Sequence, residues 1–168
     1  MNRAFVYGDD IDTDALAPGQ YMGGGIEQIA THCLETIDPD FASQVRPGDV
    51  LIAGKNFGMG SSREQAAQAL KHLGLAGVVA RSFAGIFYRN AINLGLPVFV
   101  GEPEIAAIRP GDRVELDVAN SRLVTANGSI QLEPLPDFLL AMIADGGLVP
   151  HLEKRFARQR ANNDGEQQ

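Results

Sequence analysis

The sequence has one cysteine, Cys33, and fewer basic residues than acidic ones, 14 against 21. A single thiol excludes an internal disulfide, and by itself it cannot hold a structural zinc ion or an iron–sulfur cluster. The formal net charge of −7 argues against nucleic acid as the main partner, because phosphate backbones are bound by clustered lysine and arginine. A local basic site for a small anion is still compatible with this charge.

Long apolar runs are also missing. The N-terminus does not resemble a signal peptide and no segment approaches the length that spans a bilayer, so we expect a cytoplasmic protein with no membrane partner. The 168 residues, 45% of them apolar, predict one domain with a hydrophobic core over residues 1–160. Residues 161–168 form a polar tail that we expect to be disordered.

An acidic loop, residues 8–14, follows the first apolar segment. Asp10, Asp12 and Asp14 alternate as in a calcium loop, but Ala15 replaces the turn glycine and no glutamate stands at the twelfth position. This mismatch disfavours calcium, and we predict no metal site in the chain. The carboxylates are assigned to capping and turn roles, although one of them could orient a basic side chain.

The stretch around which the chain is organised is the glycine-rich corner, residues 53–65. An apolar strand leads into it, a helical pattern leaves it, and between them lie three glycines, two adjacent serines and Arg63. Glycine permits sharp turns and close approach to a ligand, while a helix N-terminus favours an anion. The guanidinium of Arg63 fits a carboxylate or a phosphate, so the pattern indicates an anion site.

A second interpretation of the same corner stays open at this point. Ser61 and Glu64 have the spacing of a capping box, in which the two side chains satisfy the first backbone donors of a helix. This arrangement is a common helix start and implies no ligand.

The fold expected from the pattern is mixed α/β. Apolar strands at residues 50–53, 77–80 and 96–100 alternate with helical patterns at 66–73 and 82–91, which predicts a parallel βαβαβ core. Beyond residue 101 the pattern alternates as in antiparallel strands, with a hairpin turn at Asn127-Gly128 and closing helices at 137–144 and 149–157. We also expect a helix over 26–37 and a Ser82 cap on the second helix. The glycine-rich segment 21–25 is compatible both with a mobile loop that orders over a ligand and with a plain linker.

Three segments, at residues 8–14, 54–64 and 82–90, together resemble the signatures of the aconitase-type swivel domain, and the likeness runs from about residue 4 to about residue 154. Within that family the chain is most similar to the stand-alone small subunits of the 3-isopropylmalate dehydratase type. The resemblance implies a swivelling β/β/α domain whose mixed sheet is flanked by helices. It also implies a hydro-lyase in which this chain is active only with a large subunit. Leucine biosynthesis and the degradation of branched hydroxy acids both stay open as its pathway.

The resemblance further implies that the 4Fe-4S cluster is carried by the large subunit, so this chain binds no cofactor itself. The two subunits together would isomerise a small hydroxy dicarboxylic acid by dehydration and rehydration. In the family pattern Ser61 corresponds to the catalytic base, and Asp14 to a carboxylate that orients a histidine of the large subunit. The residues implied in substrate binding are Gly60, Ser62, Arg63, Tyr21, Met22 and Gly23.

Gln65, Met59 and Gly85 depart from the residues that the family usually has at these positions. The loop at 21–25 contains no arginine for a third carboxylate, which disfavours citrate or homoaconitate and favours isopropylmalate or dimethylmalate. Two other functions stay open, a stand-alone anion-binding module and a subunit that has lost catalysis. The glycine-rich corner contains neither a phosphate-loop motif nor a dinucleotide-binding motif, which disfavours the first of them. Self-association of the isolated chain also stays open.

Overall fold

The backbone is arranged around a mixed β-sheet, as seen in a computed structural model that describes residues 1–165. Within this range the strands are Asn2–Val6 (β1), Val50–Ala53 (β2), Gly77–Ala80 (β3), Val98–Val100 (β4), Arg113–Asp117 (β5), Arg122–Thr125 (β6) and Gly128–Gln131 (β7). They form one seven-stranded sheet in the order β4-β3-β2-β1-β5-β6-β7. Strands β1 to β4 are parallel, and β5, β6 and β7 extend the sheet in antiparallel pairs beyond β1.

Helices connect and flank these strands. In residues 1–165 they are Thr13–Leu16 (α1), Ile26–Thr31 (α2), Phe41–Gln44 (α3), Glu64–His72 (α4), Gly85–Asn93 (α5), Asp137–Ala144 (α6) and Leu148–Gly165 (α7). The predicted βαβαβ core is confirmed, with α4 joining β2 to β3 and α5 joining β3 to β4.

Both faces of the parallel half are covered. All four residues of β2 and all four of β3 are buried, and successive side chains of a strand point to opposite faces. Helix α4 packs against α2, α1 and α5 with four buried positions, three of them alanines: Ala66, Ala67, Ala69 and Leu70. These small side chains let α4 approach its neighbours closely, which fixes its first turn relative to α1.

The antiparallel half has one covered face. In β5 the buried Val114 and Leu116 alternate with the exposed Arg113 and Glu115. Strands β6 and β7 form the predicted hairpin, in which Thr125 pairs with Gly128 around the turn. The mixed α/β fold expected from the sequence is therefore confirmed.

One predicted helix is too long. Helix α2 ends at Thr31, well short of residue 37, and the chain turns sharply at Leu34, whose φ is +61°. The Leu34 side chain is fully buried and its N–H donates to the Ala15 carbonyl over 2.8 Å. Burial of this leucine against α1 outweighs the helical periodicity, since the turn that buries it ends the helix.

The predicted Ser82 cap does not form, and the last helix is longer than the predicted residues 149–157. Helix α5 begins at Gly85 without a side-chain cap, because the Ser82 hydroxyl accepts a hydrogen bond from the Asn56 N–H instead. Helix α7 continues to Gly165, into the segment 161–168 for which the sequence predicts disorder. Residues 166–168 lie outside the described part of the chain. Among the described helices, none combines the length and apolarity that a membrane crossing requires.

Replacing Gly58 by alanine tests how tightly the glycine-rich corner packs on the core. Its φ is +82°, and a Cβ there would overlap the Phe87 side chain. We expect Gly58→Ala to lower the free energy of unfolding in urea by about 2–4 kcal/mol, because left-handed strain and overpacking add.

Gly85→Ala is the matched control for this measurement. No atom lies within 4 Å of the Cβ position at Gly85, and its φ is not positive. The control should change stability by less than about 1 kcal/mol, in the stabilising direction. Equal stability of the two variants would contradict the packing described.

Candidate functional site

The three segments singled out in the sequence meet at the carboxyl ends of β1, β2 and β3. The corner pairs with the segment after β3, where the Phe57 N–H donates to the Ser82 carbonyl over 3.0 Å and the Ala84 N–H donates to the Phe57 carbonyl over 2.9 Å. In parallel sheets this edge is where ligands bind. The glycine-rich corner lies at this edge, directly after β2 and before α4, as the predicted strand and helix on either side of it indicate.

The acidic loop pairs with the corner from the other side. The Gly58 N–H donates to the Ile11 carbonyl over 2.7 Å, and the Thr13 N–H donates to the Met59 carbonyl over 2.8 Å. Asp9 accepts from the Lys55 N–H at 2.7 Å. The loop and the corner are thus joined through their backbones, although they are more than 40 residues apart in the chain.

The carboxylates of the acidic loop have separate structural partners. Asp12 caps α1 by accepting from the Ala15 N–H at 2.8 Å, and Asp10 accepts from the Asn56 side chain at 2.9 Å. These contacts agree with the predicted capping and turn roles. They leave Asp14 as the carboxylate of this loop that faces the basic side chain.

The corner rests on a buried aromatic cluster. Phe57 is fully buried and meets Phe87 edge-on, with ring centroids 5.2 Å apart, and it meets Phe83 in the same way at 5.9 Å. Above it the backbone turns through left-handed conformations at Asn56, with φ of +60°, and at Gly60, with φ of +109°. A rigid base under a sharply turned loop holds the following residues in fixed positions.

Ser61 does not cap the helix. Helix α4 begins at Glu64, and the residue before it, Arg63, makes no side-chain cap. The Ser61 N–H donates to the Thr13 hydroxyl over 3.1 Å, and its Oγ lies 3.3 Å from the same Thr13 oxygen. The capping-box interpretation is wrong, because the Ser61 N–H and hydroxyl contact Thr13 at the start of α1 and not the first turn of α4.

Arg63 is held on one side only. Its Nη1 donates to Asp14 Oδ1 over 2.8 Å and to the Ala17 carbonyl over 3.0 Å. Nη2 and Nε form no hydrogen bond to an acceptor within residues 1–165. One edge of the guanidinium is therefore fixed, and the remaining donors can bind a planar anion.

One oxygen of the Asp14 carboxylate accepts two hydrogen bonds. Its Oδ1 accepts from Arg63 and from the Gly19 N–H, the latter over 3.0 Å. The Arg63 hydrogen bond, followed by the Gly19 amide, lowers the pKa of the Asp14 carboxyl below its ordinary value. Within this chain Asp14 thus orients Arg63; its predicted contact with a histidine of a large subunit stays a prediction.

The loop at residues 21–25 is anchored at both ends. The Tyr21 ring stacks on His32 with centroids 3.6 Å apart and planes 5° from parallel, and His32 Nδ1 lies 2.6 Å from a Glu35 oxygen. At the far end Gly25 is the N-cap residue of α2. Met22 is half-buried and Gly23 is exposed with open space around its α-carbon, so the middle of the loop faces outward.

A model of the aconitase C-terminal domain matches residues 14–100, just over half of the chain. The chain belongs to this family.

Two curated relatives show how far the similarity extends. The chain is 43% identical over 166 residues to the methanogen homoaconitase small subunit of Methanothermobacter thermautotrophicus, covering 97% of this chain and 96% of the relative. It is 46% identical over 158 residues to 3-isopropylmalate dehydratase small subunit 2 of Archaeoglobus fulgidus, covering 92% and 94%. Similarity therefore spans nearly the whole length of both proteins.

A solved structure agrees with the fold. The crystal structure of 3-isopropylmalate dehydratase from Methanocaldococcus jannaschii superposes with a TM-score of 0.89 at 43% identity, covering 96% of this chain and 97% of that one. The swivel-domain architecture expected from the resemblance is thereby confirmed.

The site of this aconitase C-terminal domain is open to solvent. Gly60, Ser61 and Ser62 are exposed, and the neighbouring Met59 side chain is 39% exposed. Ser61 and Arg63 stand at the same corner, as the sequence predicts. The sequence analysis did not identify Thr13, because it considered only the alternating aspartates of the acidic loop. Thr13 is the buried residue between Asp12 and Asp14, and it contacts Ser61.

The described residues do not fit an iron–sulfur cluster. Within residues 1–165 no group of three or more histidine, cysteine, aspartate or glutamate side chains is placed to hold a metal ion. Cys33 is only 1% exposed, and burial raises the pKa of its thiol, which opposes the thiolate that a cluster requires.

The ion pair between Asp14 and Arg63 can be tested by titrating the Asp14 carboxyl group. In Arg63→Met the pKa of Asp14 should rise toward its ordinary value, because the strongest hydrogen bond to the carboxylate is lost. Carboxyl chemical shifts followed by NMR across an acid titration measure this. A lowered pKa in the folded state contributes stability at pH above the unfolded value, which fades as pH falls through the folded value.

Arg122→Met is the matched control. Arg122 donates to Asp117, whose pKa is lowered first by Asn120 and then by Arg122. The control should raise the pKa of Asp117 and leave that of Asp14 unchanged. An unchanged Asp14 titration in Arg63→Met would show that the two side chains do not pair in solution.

Proposed function

We propose that the chain is the small subunit of a two-subunit hydro-lyase of the 3-isopropylmalate dehydratase type. The observation that carries the proposal is the exposed corner, where the Ser61 hydroxyl and the half-bound Arg63 guanidinium stand at one edge of the sheet. Relatives that bear this name, or that of homoaconitase small subunit, match the chain over nearly its whole length.

Ser61 acts as the base in this proposal. Its oxygen takes the proton from the substrate carbon next to a carboxylate, and protonates a carbon in the reverse direction. A serine alkoxide is unfavourable in water, so it needs donors around it. The N-terminus of α4, three residues further along the chain, contributes partial positive charge near the corner.

Arg63 and Ser62 bind a substrate carboxylate. Arg63 keeps Nη2 and Nε for the ligand while Asp14 and Ala17 fix Nη1, so the fork is oriented before substrate arrives. Gly60, with φ of +109°, allows the backbone to approach the substrate closely. The two exposed serines complete a polar corner of small side chains.

The large subunit covers this corner and carries the 4Fe-4S cluster in the proposal. Two observations support this: Met59 and the two serines are exposed, and the one cysteine of the sequence, Cys33, is buried. The chemistry of the cluster therefore belongs to the partner, and the isolated chain is inactive. We place the assembled enzyme in the cytoplasm, in leucine biosynthesis.

The substrate is a hydroxy dicarboxylate with an alkyl group. Tyr21, Met22 and Gly23 lie in the loop that follows Gly19. Gly19 is close to Arg63: a Cβ atom added to Gly19 would lie 3.6 Å from Arg63 Nη2. This loop offers an aromatic ring, a thioether and no cation, which fits an alkyl group better than a third carboxylate. Homoaconitate chemistry is the second candidate, because the Methanothermobacter relative is about as similar as the dehydratase subunits.

Replacing Ser61 by alanine tests the base. In the enzyme reconstituted with its large subunit, we expect Ser61→Ala to lower kcat by at least about 1,000-fold, because the group that removes the proton is gone. Size-exclusion chromatography should show unchanged assembly. Ser129→Ala, in the exposed strand β7, is the control and should retain full turnover. Persistent activity in Ser61→Ala would remove the basis of the proposal.

A panel of substrates tests the role of the loop at residues 21–25. The reconstituted enzyme should have the highest kcat/KM for alkyl-substituted malates such as isopropylmalate or dimethylmalate, because the loop lacks a partner for a third carboxylate. Formation of the unsaturated intermediate can be followed by ultraviolet absorbance. A preference for homocitrate or citrate would support the second candidate instead.

A further inference from the structure

Thr13 is a buried hydroxyl directly beneath the proposed base. It lies in the acidic loop between Asp12 and Asp14, which are both exposed, yet only 3% of Thr13 is accessible. Its N–H donates to the Met59 carbonyl over 2.8 Å. Its Oγ1 contacts two atoms of one residue, the N–H of Ser61 at 3.1 Å and the Oγ of Ser61 at 3.3 Å.

The direction of the second contact follows from the difference in burial between the two hydroxyls. An amide N–H can only donate, so Thr13 Oγ1 is the acceptor in its contact with the Ser61 backbone. Either oxygen could donate in the hydroxyl–hydroxyl contact, since each also has a free lone pair. Ser61 is exposed and can donate its proton to water, whereas Thr13 is buried and Ser61 Oγ is the acceptor that residues 1–165 place within its reach. The donor role therefore falls to Thr13, because the opposite direction would leave a buried hydroxyl proton without an acceptor.

We infer that Thr13 is a positioning residue for Ser61, whose alkoxide it stabilises by donating a hydrogen bond from the buried side. The inference rests on the proposed role of Ser61. The alkoxide forms when Ser61 loses its proton to solvent. It then takes the substrate proton: an O–H bond forms, the C–H bond breaks, and its electron pair stays on the carbon. The Thr13 proton remains on Thr13 throughout.

The surroundings hold Thr13 in place for this task. The Ala17 N–H donates to the Thr13 carbonyl over 2.8 Å, which fixes the single turn of α1. A Cβ at Gly60 would lie 3.0 Å from Thr13 Oγ1, so a glycine there keeps space beside the hydroxyl. The close approach of Thr13 and Ser61 thus depends on both paired loops.

The two carboxylates that flank Thr13 in the acidic loop are already engaged. Asp12 accepts from the Ala15 N–H, and Asp14 pairs with Arg63. Glu64 is exposed at the start of α4. A neutral donor is suited to this position, because it lowers the cost of the alkoxide without adding a group that titrates in the working range.

The test uses Thr13→Val in the reconstituted enzyme, which keeps the shape of the side chain and removes its proton. We expect kcat to fall about 10- to 100-fold, because one hydrogen bond to a charged oxygen is lost. In the proposal kcat/KM rises with pH as the Ser61 alkoxide forms. In Thr13→Val this rise should move to higher pH, because the alkoxide becomes harder to form. Thr13→Ser, which keeps the hydroxyl, should restore both quantities to near the wild-type values.

Thr125→Val is the matched control. The Thr125 hydroxyl also accepts from one amide, that of Asn127, and donates to one oxygen, the Gly128 carbonyl, in the hairpin at the antiparallel end of the sheet. Its replacement should leave kcat and the pH profile unchanged. Circular dichroism and size-exclusion chromatography confirm that each variant folds and assembles.

A double variant separates the possible outcomes. In the Ser61→Ala background Thr13→Val should cause no further loss, because Thr13 acts through the missing hydroxyl. A lower kcat with an unshifted pH profile would overturn the inference and leave a structural role. Activity that persists in Ser61→Ala would instead refute the proposed function. If Thr13→Val fails to assemble, Thr13→Cys, with a weak S–H donor, must show the same shift toward higher pH.

Discussion

The site depends on one set of backbone hydrogen bonds, those that join the acidic loop to the glycine-rich corner. The Gly58 N–H bonds to Ile11, and the Thr13 N–H bonds to Met59. Because a backbone pairing fixes the chain on both sides, it also fixes the side chains that follow it. Thr13 meets Ser61, and Asp14 meets Arg63, as direct consequences. Without the pairing neither contact has a reason to form, since each joins residues almost 50 positions apart.

The ion pair at the corner positions a side chain more than it stabilises the fold. An exposed pair of this kind contributes about 0–1 kcal/mol, and 67% of the Asp14 side chain is accessible. Stability comes from the covered sheet and from the aromatic cluster around Phe57. What the pair does is hold one edge of the guanidinium, which leaves the other edge ordered and available. An exposed donor edge held in a fixed orientation is what the proposed enzyme, completed by a second subunit, requires.

Local patterns predicted most of the architecture and misjudged several boundaries. The alternation of buried strands with helices gave β2 to β4 correctly, and the Asn127-Gly128 turn gave the hairpin. The helix over residues 26–37 was too long, because burial of Leu34 against α1 cannot be read from helical spacing. The capping box at Ser61 failed for the same kind of reason, since Thr13 competes for its amide.

The sequence by itself determined the fold class, the location of the corner and the identity of its polar residues, because these follow from periodicity, glycine positions and short motifs. Only the tertiary structure decided which partner each residue has. It turned Asp14 toward Arg63 and placed the Thr13 hydroxyl against Ser61. Such pairings depend on the register between distant loops, and that register is set by backbone bonds and packing across the whole sheet, which no local stretch of sequence contains.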